Sequence, residues 1–502
     1  MSHPNILLIT SDQQHWQALG INNPQVRTPS LDLLASQGVV FTRAYCTNPT
    51  CTPARASIIT GKMPSRHGAY SLGTKLFETE PVVGDMLRKA GYWTALVGKA
   101  HFQPLQTTPE YPSLEAEPIL HDYDFWRKFH GPFYGFERAE LARNHADEGH
   151  VGQHYALWME GKGFSSWRDC FEKPGGNRGP QTHRWNLPEK YHQDPWIAEK
   201  SLELLEGYKA RGEPFFLWSS FFDPHPPYLV PEPWDAVYEP GRITVPKMAP
   251  GEHDHNPPHF RMTQQGKPDV SVYKEKGGNW LHGVHSHLDL LPTLPKDTAV
   301  YYGMTSLMDK YIGKILEGLE TLGLAGNTIV VFTTDHGHFL GQHGLAAKGP
   351  FHYEDMIKIP FIVRWPGRVP AGRTSGAFQS LADLAPTFLR VSGAEGSSGM
   401  DGVDQSEVWM GNCAAARDHA VIENRHNPTT MCLNTYVDTR WKITAYLGRP
   451  YGELFDLVND PGEVHNLWDD AAAAGEKERF LRLPVFTEMG KEPLKMPRIS
   501  GA

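Results

Sequence analysis

Cysteine is scarce in this chain: five among 502 residues, widely spaced and odd in number. That excludes a disulfide framework, and Cys46, Cys170, Cys413 and Cys432 are read as unpaired and without a role. Long apolar runs are also missing. No stretch approaches the roughly 18 residues of a membrane span, so no membrane partner is expected. There is no excess of positive charge: 48 Lys and Arg stand against 57 Asp and Glu, the net charge is −9, and the basic residues are scattered. This argues against a nucleic-acid surface. Met1-Ser2-His3-Pro4 runs straight into an apolar stretch, with neither a charged leader nor a signal core, which makes a cytoplasmic protein the expectation. No internal repeat is visible. The length suits one large domain and a smaller one.

The apolar runs that are present are short. Asn5 to Thr10, Trp93 to Gly98, Phe215 to Phe222, Thr328 to Thr333 and Ile359 to Trp365 read as buried strands. Helical patterns lie between them: a segment opened by Thr28-Pro29-Ser30 and closed by Gly38, then Val82 to Ala90, Ile197 to Tyr208, and Met304 to Leu319. The alternation predicts an α/β fold with a large, mainly parallel central sheet flanked by helices. Ligands bind such sheets beyond the carboxyl ends of the strands. Four of the five strands end in candidate chemistry: Asp12, Lys99, Asp223 to His225, and Asp335-His336. Two long segments, about 101–195 and 231–295, lack periodicity and read as inserted loops. Beyond about residue 395 the pattern changes to short strands, such as Ala420 to Glu423 and Trp441 to Tyr446. We therefore expect a domain over 1–395 and a C-terminal α+β subdomain over 396–502. Its charged tail would wrap the main domain or a neighbour, which makes a homo-oligomer plausible.

Cys51-Thr52-Pro53-Ala54-Arg55 is the most informative segment. Thr52 can cap a helix, Pro53 suits its first position, and Gly61 can stop it. Cys51 then lies at a helix N-terminus, which favours an anion, and Arg55 one turn in can offer a bidentate fork to an oxyanion. Asp12-Gln13 and Asp335-His336 supply oxygen-rich ligands suited to a hard divalent cation.

The five residues resemble the C-x-P-x-R signature of type I sulfatases, in which the cysteine is oxidised to formylglycine. The resemblance extends along nearly the whole chain and in the family's order. It includes Gly98-Lys99-Ala100-His101, Asp223-Pro224-His225-Pro226-Pro227, Thr334-Asp335-His336-Gly337 followed by Leu340-Gly341, Lys348, and Glu453-Leu454-Phe455-Asp456-Leu457 with Asp460-Pro461 and Asn466-Leu467. It implies an alkaline-phosphatase-like sandwich and metal-dependent hydrolysis of aryl or carbohydrate sulfate esters, releasing inorganic sulfate and an alcohol. It implies as partners a small-molecule or saccharide sulfate ester and a formylglycine-generating maturation enzyme. Many sulfatases carry Asp-Asp where this chain has Asp12-Gln13, and Asn where it has His336. The family implies Ca²⁺; imidazole admits softer metals, so Mn²⁺ comes second. Both substitutions also occur in the branch with phosphonate monoester hydrolases, which makes phosphonate monoester or phosphodiester hydrolysis the alternative. Lys99 and His101, which those hydrolases generally lack, tilt the reading to sulfate.

Carried over by resemblance, Asp12, Gln13, residue 51, Asp335 and His336 hold the metal. A formylglycine hydrate at position 51 is the nucleophile, and Asp335 takes its proton. Arg55, Lys99 and Lys348 balance the sulfate oxygens. His225, helped by Lys348, protonates the leaving alcohol, and His101 takes the proton of the second hydroxyl as sulfate is expelled. His67 is read as structural. His253, His255 and His259, with His282, His285 and His287, are read as surface groups rather than a second metal site. Trp126, His130, Tyr134, Trp167 and Trp185 are candidates for lining the substrate pocket.

Overall fold

The computed structural model describes residues 3–143, 151–171, 182–275, 281–396, 399–491 and 494–501. An eight-stranded sheet forms its centre. Its strands are β1 (Asn5–Ser11), β2 (Val39–Tyr45), β3 (Trp93–Gly98), β4 (Arg138–Leu141), β5 (Phe215–Ser220), β6 (Thr328–Thr334), β7 (Phe361–Arg364) and β8 (Arg373–Ser380), in the order β8-β2-β7-β6-β1-β5-β3-β4. Every pairing is parallel except the two made by β7. The mainly parallel sheet is as expected. Strands β2, β4 and β8 were not foreseen, and β7 is the reversed strand. These are edge strands or partly exposed strands, whose short mixed runs do not stand out as apolar.

The inner strands are buried on both faces, which is why they read as unbroken apolar runs. Ile6, Leu8, Phe216, Trp218, Ile329 and Val331 face one core; Leu7, Ile9, Leu217, Val330 and Phe332 face the other. Fully burying each large side chain contributes roughly 1.5–3 kcal/mol. The first core is covered by α2 (Cys51–Thr60), α3 (Val83–Lys89) and α6 (Leu384–Ser392). The second is covered by α1 (Pro29–Ser36), α4 (Gln193–Arg211) and α5 (Leu294–Thr321). Leu307, Met308, Tyr311, Ile315 and Leu319 form the buried stripe of α5 as the spacing predicts, although the helix begins ten residues before Met304. Thr28 stands at the N-cap of α1 but spends its hydroxyl on Asp32; Asp309 of α5 instead accepts from the Ser30 and Leu31 N–H groups, at 3.0 and 2.8 Å.

A four-stranded antiparallel sheet follows, made of β9 (Ala420–Asn427), β10 (Met431–Val437), β11 (Trp441–Tyr446) and β12 (Gly452–Asp456). Its inner residues Ile422, Leu433 and Phe455 join the first core. The tail turns back on its own chain: Met496 is buried, its carbonyl accepts from the Tyr70 hydroxyl at 2.8 Å, and Ile499 N–H donates to Gly73 O. Among the described residues, no helix is long and apolar enough to cross a membrane.

The segments read as inserted loops hold core of their own. Trp126, Tyr134 and Trp167 are buried core residues rather than pocket lining; their polar atoms meet Ile119 O, Leu76 O and Glu160. His130 pairs with Glu140 at 2.9 Å, and Trp185 borders a small cavity beside His225. His253, His259 and His287 are also buried and hydrogen-bonded, not surface groups, because aromatic neighbours such as Phe260 and Phe351 enclose them.

Candidate active site at the carboxyl edge of the sheet

Strands β6, β1, β5 and β3 are consecutive and parallel, so their carboxyl ends share one edge. The residues that follow them, Asp335-His336, Asp12-Gln13, the Asp223–Pro227 loop and Lys99, therefore converge there. Gly98 makes one junction possible. Its φ is 106°, and a Cβ would lie 1.9 Å from Ser220 O, so only glycine lets Lys99 N–H reach that carbonyl. Strand β2 runs in the same sense and delivers α2 to the edge. Lys348 arrives on the loop after a short hairpin of Phe339–Leu340 and Ala346–Ala347.

Helix α2 starts two residues earlier than Thr52-Pro53 suggests. Cys51 is its first residue, Thr50 occupies the cap position, and Gly61 closes it at φ 67°. The Thr50 hydroxyl donates to Asn48 at 2.6 Å rather than capping. Cys51 still sits at the helix N-terminus, buried, within a tight ring of polar groups. Its Sγ lies 3.3 Å from His336 Nε2, 3.3 Å from Lys348 Nζ, 3.7 Å from Asp12 Oδ1 and 3.9 Å from Lys99 Nζ. Burial and Asp12 push the thiol up, against Lys348 and Lys99.

Arg55 is not a free fork. It is fully buried; Nε donates to Asp335 at 2.9 Å, NH1 to Lys99 O at 2.9 Å and to Ser220 Oγ at 2.8 Å, and NH2 lies 3.5 Å from Asp12. Its role in this geometry is to brace the two carboxylates. Lys99 Nζ donates to Asp12. Lys348 Nζ bridges Cys51 and His225, whose Nε2 is 3.2 Å away and whose Nδ1 donates to Pro226 O at 2.5 Å. Burial, then Lys348 and Lys99, push His225 well below the usual imidazole range. His101 has φ 57°, and its buried Nδ1 has no partner among the described residues. Burial and the cations Arg143, Lys99, Arg55 and Lys348 keep it neutral. His67 joins Ser57 and the Ala69 N–H, which ties α2 to the following loop.

The residues present fit a divalent cation. Ligand atoms of Asp12, Cys51, Asp335 and His336 all lie within 4.8 Å of one another. His336 Nδ1 donates to Gly337 O at 3.0 Å, which leaves Nε2 bare for a metal. The Gln13 backbone N–H donates to Asp335 at 3.0 Å, while the side-chain amide oxygen Oε1 is buried with no donor among the described residues, an acceptor that a cation would satisfy.

Several residues at the site were not singled out in the sequence. Arg143 lies two residues past β4, ion-paired with Glu115 at 2.7 Å; Glu115 also accepts from the Phe102 and Gln103 N–H groups, fixing the chain just after His101. Recognising β4 as a strand would have exposed Arg143. Ser220, the last residue of β5, and His338, two residues past His336, carry no spacing signal of their own.

Fold and site together define an α/β enzyme whose site gathers two buried carboxylates, Asp12 and Asp335, with three buried cationic side chains, Arg55, Lys99 and Lys348. Comparison with known proteins identifies the family. The Sulfatase family model matches residues 4–394, and the model for N-sulphoglucosamine sulphohydrolase, C-terminal, matches residues 341–481. The chain is 27% identical to an arylsulfatase of Clostridium perfringens, over 97% of this chain and 95% of that protein. It is 25% identical to an N-acetylglucosamine-6-O-sulfatase of Bacteroides thetaiotaomicron, over 97% and 86%. Among solved structures, the phosphonate monoester hydrolase of Agrobacterium radiobacter superposes with a TM-score of 0.76 at 26% identity, covering 95% of this chain and 94% of that one. The chain belongs to the sulfatase family, within the alkaline phosphatase superfamily, and is a hydrolase of sulfate esters.

Proposed function

We propose that this sulfatase works through a formylglycine made from Cys51, beside one divalent cation, Ca²⁺ before Mn²⁺, held by Asp12, Gln13, residue 51, Asp335 and His336. The observation that carries the reading is the position of Cys51 Sγ, about equidistant from His336 Nε2 and Lys348 Nζ and backed by Asp12. The bound cation supplies Lewis-acid polarisation of the ester and favours ionisation of a hydroxyl on residue 51. The remaining work belongs to the side chains. Lys99 and Lys348 face the position of residue 51 from two sides and balance the oxyanion, a preorganised electrostatic contribution. Arg55 holds Asp12 and Asp335 in place. Lys348 passes a proton to His225 Nε2, and His225 delivers it to the leaving alcohol. His101, neutral and with a nitrogen that has no partner among the described residues, is the base for the second hydroxyl of an aldehyde hydrate.

Cys51 and Arg55 are buried in the folded chain, so a maturation enzyme that reads them must act before folding is complete. The substrate is an aryl or saccharide sulfate, a monoanion. Phosphonate monoesters carry the same charge, and the likeness to the Agrobacterium radiobacter hydrolase favours them as the second reading.

The test is kcat/KM for an aryl sulfate and an aryl phosphonate monoester with the same leaving group, on protein co-expressed with a formylglycine-generating enzyme. The Cys51 peptide should be lighter by about 18 Da. Preference for sulfate, abolished in Cys51→Ala, supports the reading. Preference for phosphonate transfers the chain to the second one, and full activity with an unmodified cysteine overturns the formylglycine mechanism.

A further inference from the structure

The loop that carries Asp335 and His336 continues to His338, which is fully buried and lies outside the metal-ligand cluster. Its ring spans two polar groups from different elements. Nδ1 is 2.7 Å from the Gln13 amide nitrogen, and Nε2 is 2.7 Å from the Tyr228 hydroxyl. The ring stacks on Tyr301 at 5.0 Å with planes 7° apart. The Tyr301 hydroxyl donates to Gln13 O at 2.9 Å and accepts from His15 N–H at 2.8 Å. The same aromatic platform therefore grips the Gln13 backbone, which stands at φ 55°.

An amide has two unlike ends. Its NH₂ can only donate, so the imidazole nitrogen facing it must be bare. With Nδ1 bare, Nε2 carries the hydrogen and donates to the Tyr228 oxygen. Turning the amide over would require the other tautomer, with Nδ1–H donating to the amide oxygen and the Tyr228 hydroxyl donating to Nε2, and would leave the NH₂ buried instead of the oxygen. In the orientation observed, Oε1 is left buried and without a donor among the described residues. A ligand shell usually depends on such outer partners for its geometry.

We propose that His338 is a positioning residue for the cation site: with Tyr228 and Tyr301, it holds the Gln13 amide so that Oε1 is presented as a metal ligand. This rests on the metal reading given above. The experiment is Mn²⁺ affinity by calorimetry on chelator-stripped protein, with thermal unfolding as a check on folding. It compares wild type, His338→Leu, Tyr228→Phe, Gln13→Glu and the Gln13→Glu/His338→Leu double variant. His338→Leu should weaken Mn²⁺ by about 10- to 100-fold. Tyr228→Phe, which relaxes the tautomer without emptying the site, should weaken it by a smaller factor. A glutamate offers oxygen at both ends and needs no orienting, so His338→Leu in the Gln13→Glu background should cost less than about threefold. Wild-type affinity in both His338→Leu and Tyr228→Phe overturns the inference. So does an equally large loss in the Gln13→Glu background, which would mean general packing. Absence of Mn²⁺ binding by the wild type overturns the metal reading and this inference together, whereas failure of the inference alone leaves wild-type binding intact.

Discussion

Replacing Arg55 by methionine keeps most of the side-chain volume and removes the guanidinium. In the folded protein that group is fully buried and meets Asp335, Lys99 O, Ser220 and Asp12. Burial works against its charge, yet Asp335 and Asp12 outweigh burial and hold the guanidinium above its ordinary pKa. Without it, Asp335 loses its 2.9 Å partner and Asp12 loses one of its cationic neighbours while keeping Lys99. Breaking one side of a buried ion pair costs about 3–5 kcal/mol, mostly the penalty of the carboxylate left behind. Arg55→Met should therefore lose about 3–5 kcal/mol in urea unfolding followed by tryptophan fluorescence. The loss should shrink by at least about 1 kcal/mol when a divalent cation is bound, because the cation faces the same carboxylates. Arg55→Lys should fall between, since it keeps the charge and loses the fork. A substrate-binding arginine would behave oppositely. A loss below about 0.5 kcal/mol, the scale of a neutral surface change, combined with a raised KM would refute the bracing role.

Two further outcomes follow from buried networks. His343 lies between Glu252 and Asp355 and stacks on Tyr353. Burial opposes its charge, but the two carboxylates raise its pKa; burial pushes Glu252 and Asp355 up, but His343, with His15 for Asp355, lowers both. The histidine's contribution is complete below its unfolded pKa of about 6.5 and is lost as pH rises through the raised folded value; the carboxylates' contribution is complete above about 4.3 and is lost on acidification. Urea midpoints against pH should show a greater fall above about pH 6.5 in wild type than in His343→Gln; parallel profiles would rule the network out. Lys348→Met removes the bridge between Cys51 and His225 and should lower kcat by about 10²–10³. The loss should be larger for an alkyl sulfate than for a nitrophenyl sulfate, because the poorer leaving group needs its proton more; equal losses would take Lys348 out of the acid step.

Much of the site was legible because buried parallel strands announce themselves twice, by an unbroken apolar run and by the polar residue that ends it. Asp12, Lys99, His225 and Asp335 were found that way. Arg55 was located but misjudged: position one turn into a helix says where the guanidinium starts, not which acceptors surround its end. The aromatic insert was misjudged for a related reason. Tryptophans without periodicity look like pocket lining, yet Trp126 and Trp167 fill core beneath the loops. His338 could not be weighed at all, since its partners Gln13, Tyr228 and Tyr301 lie 325, 110 and 37 residues away.

The chain by itself determined the strand order of chemistry along its length, the cysteine at a helix start, the oxygen-rich ligand pairs and the family they resemble. These are local properties: burial pattern, capping, and short motifs whose residues are neighbours in sequence. The tertiary structure decided how cations and carboxylates are shared, that Arg55 braces Asp12 and Asp335, that Lys348 joins Cys51 to His225, and which end of Gln13 is left unpaired. Those outcomes depend on which strand ends share an edge and on the few ångströms between side chains, and hydrogen bonding and Coulomb energy change sharply over such distances while periodicity along the chain carries no measure of them.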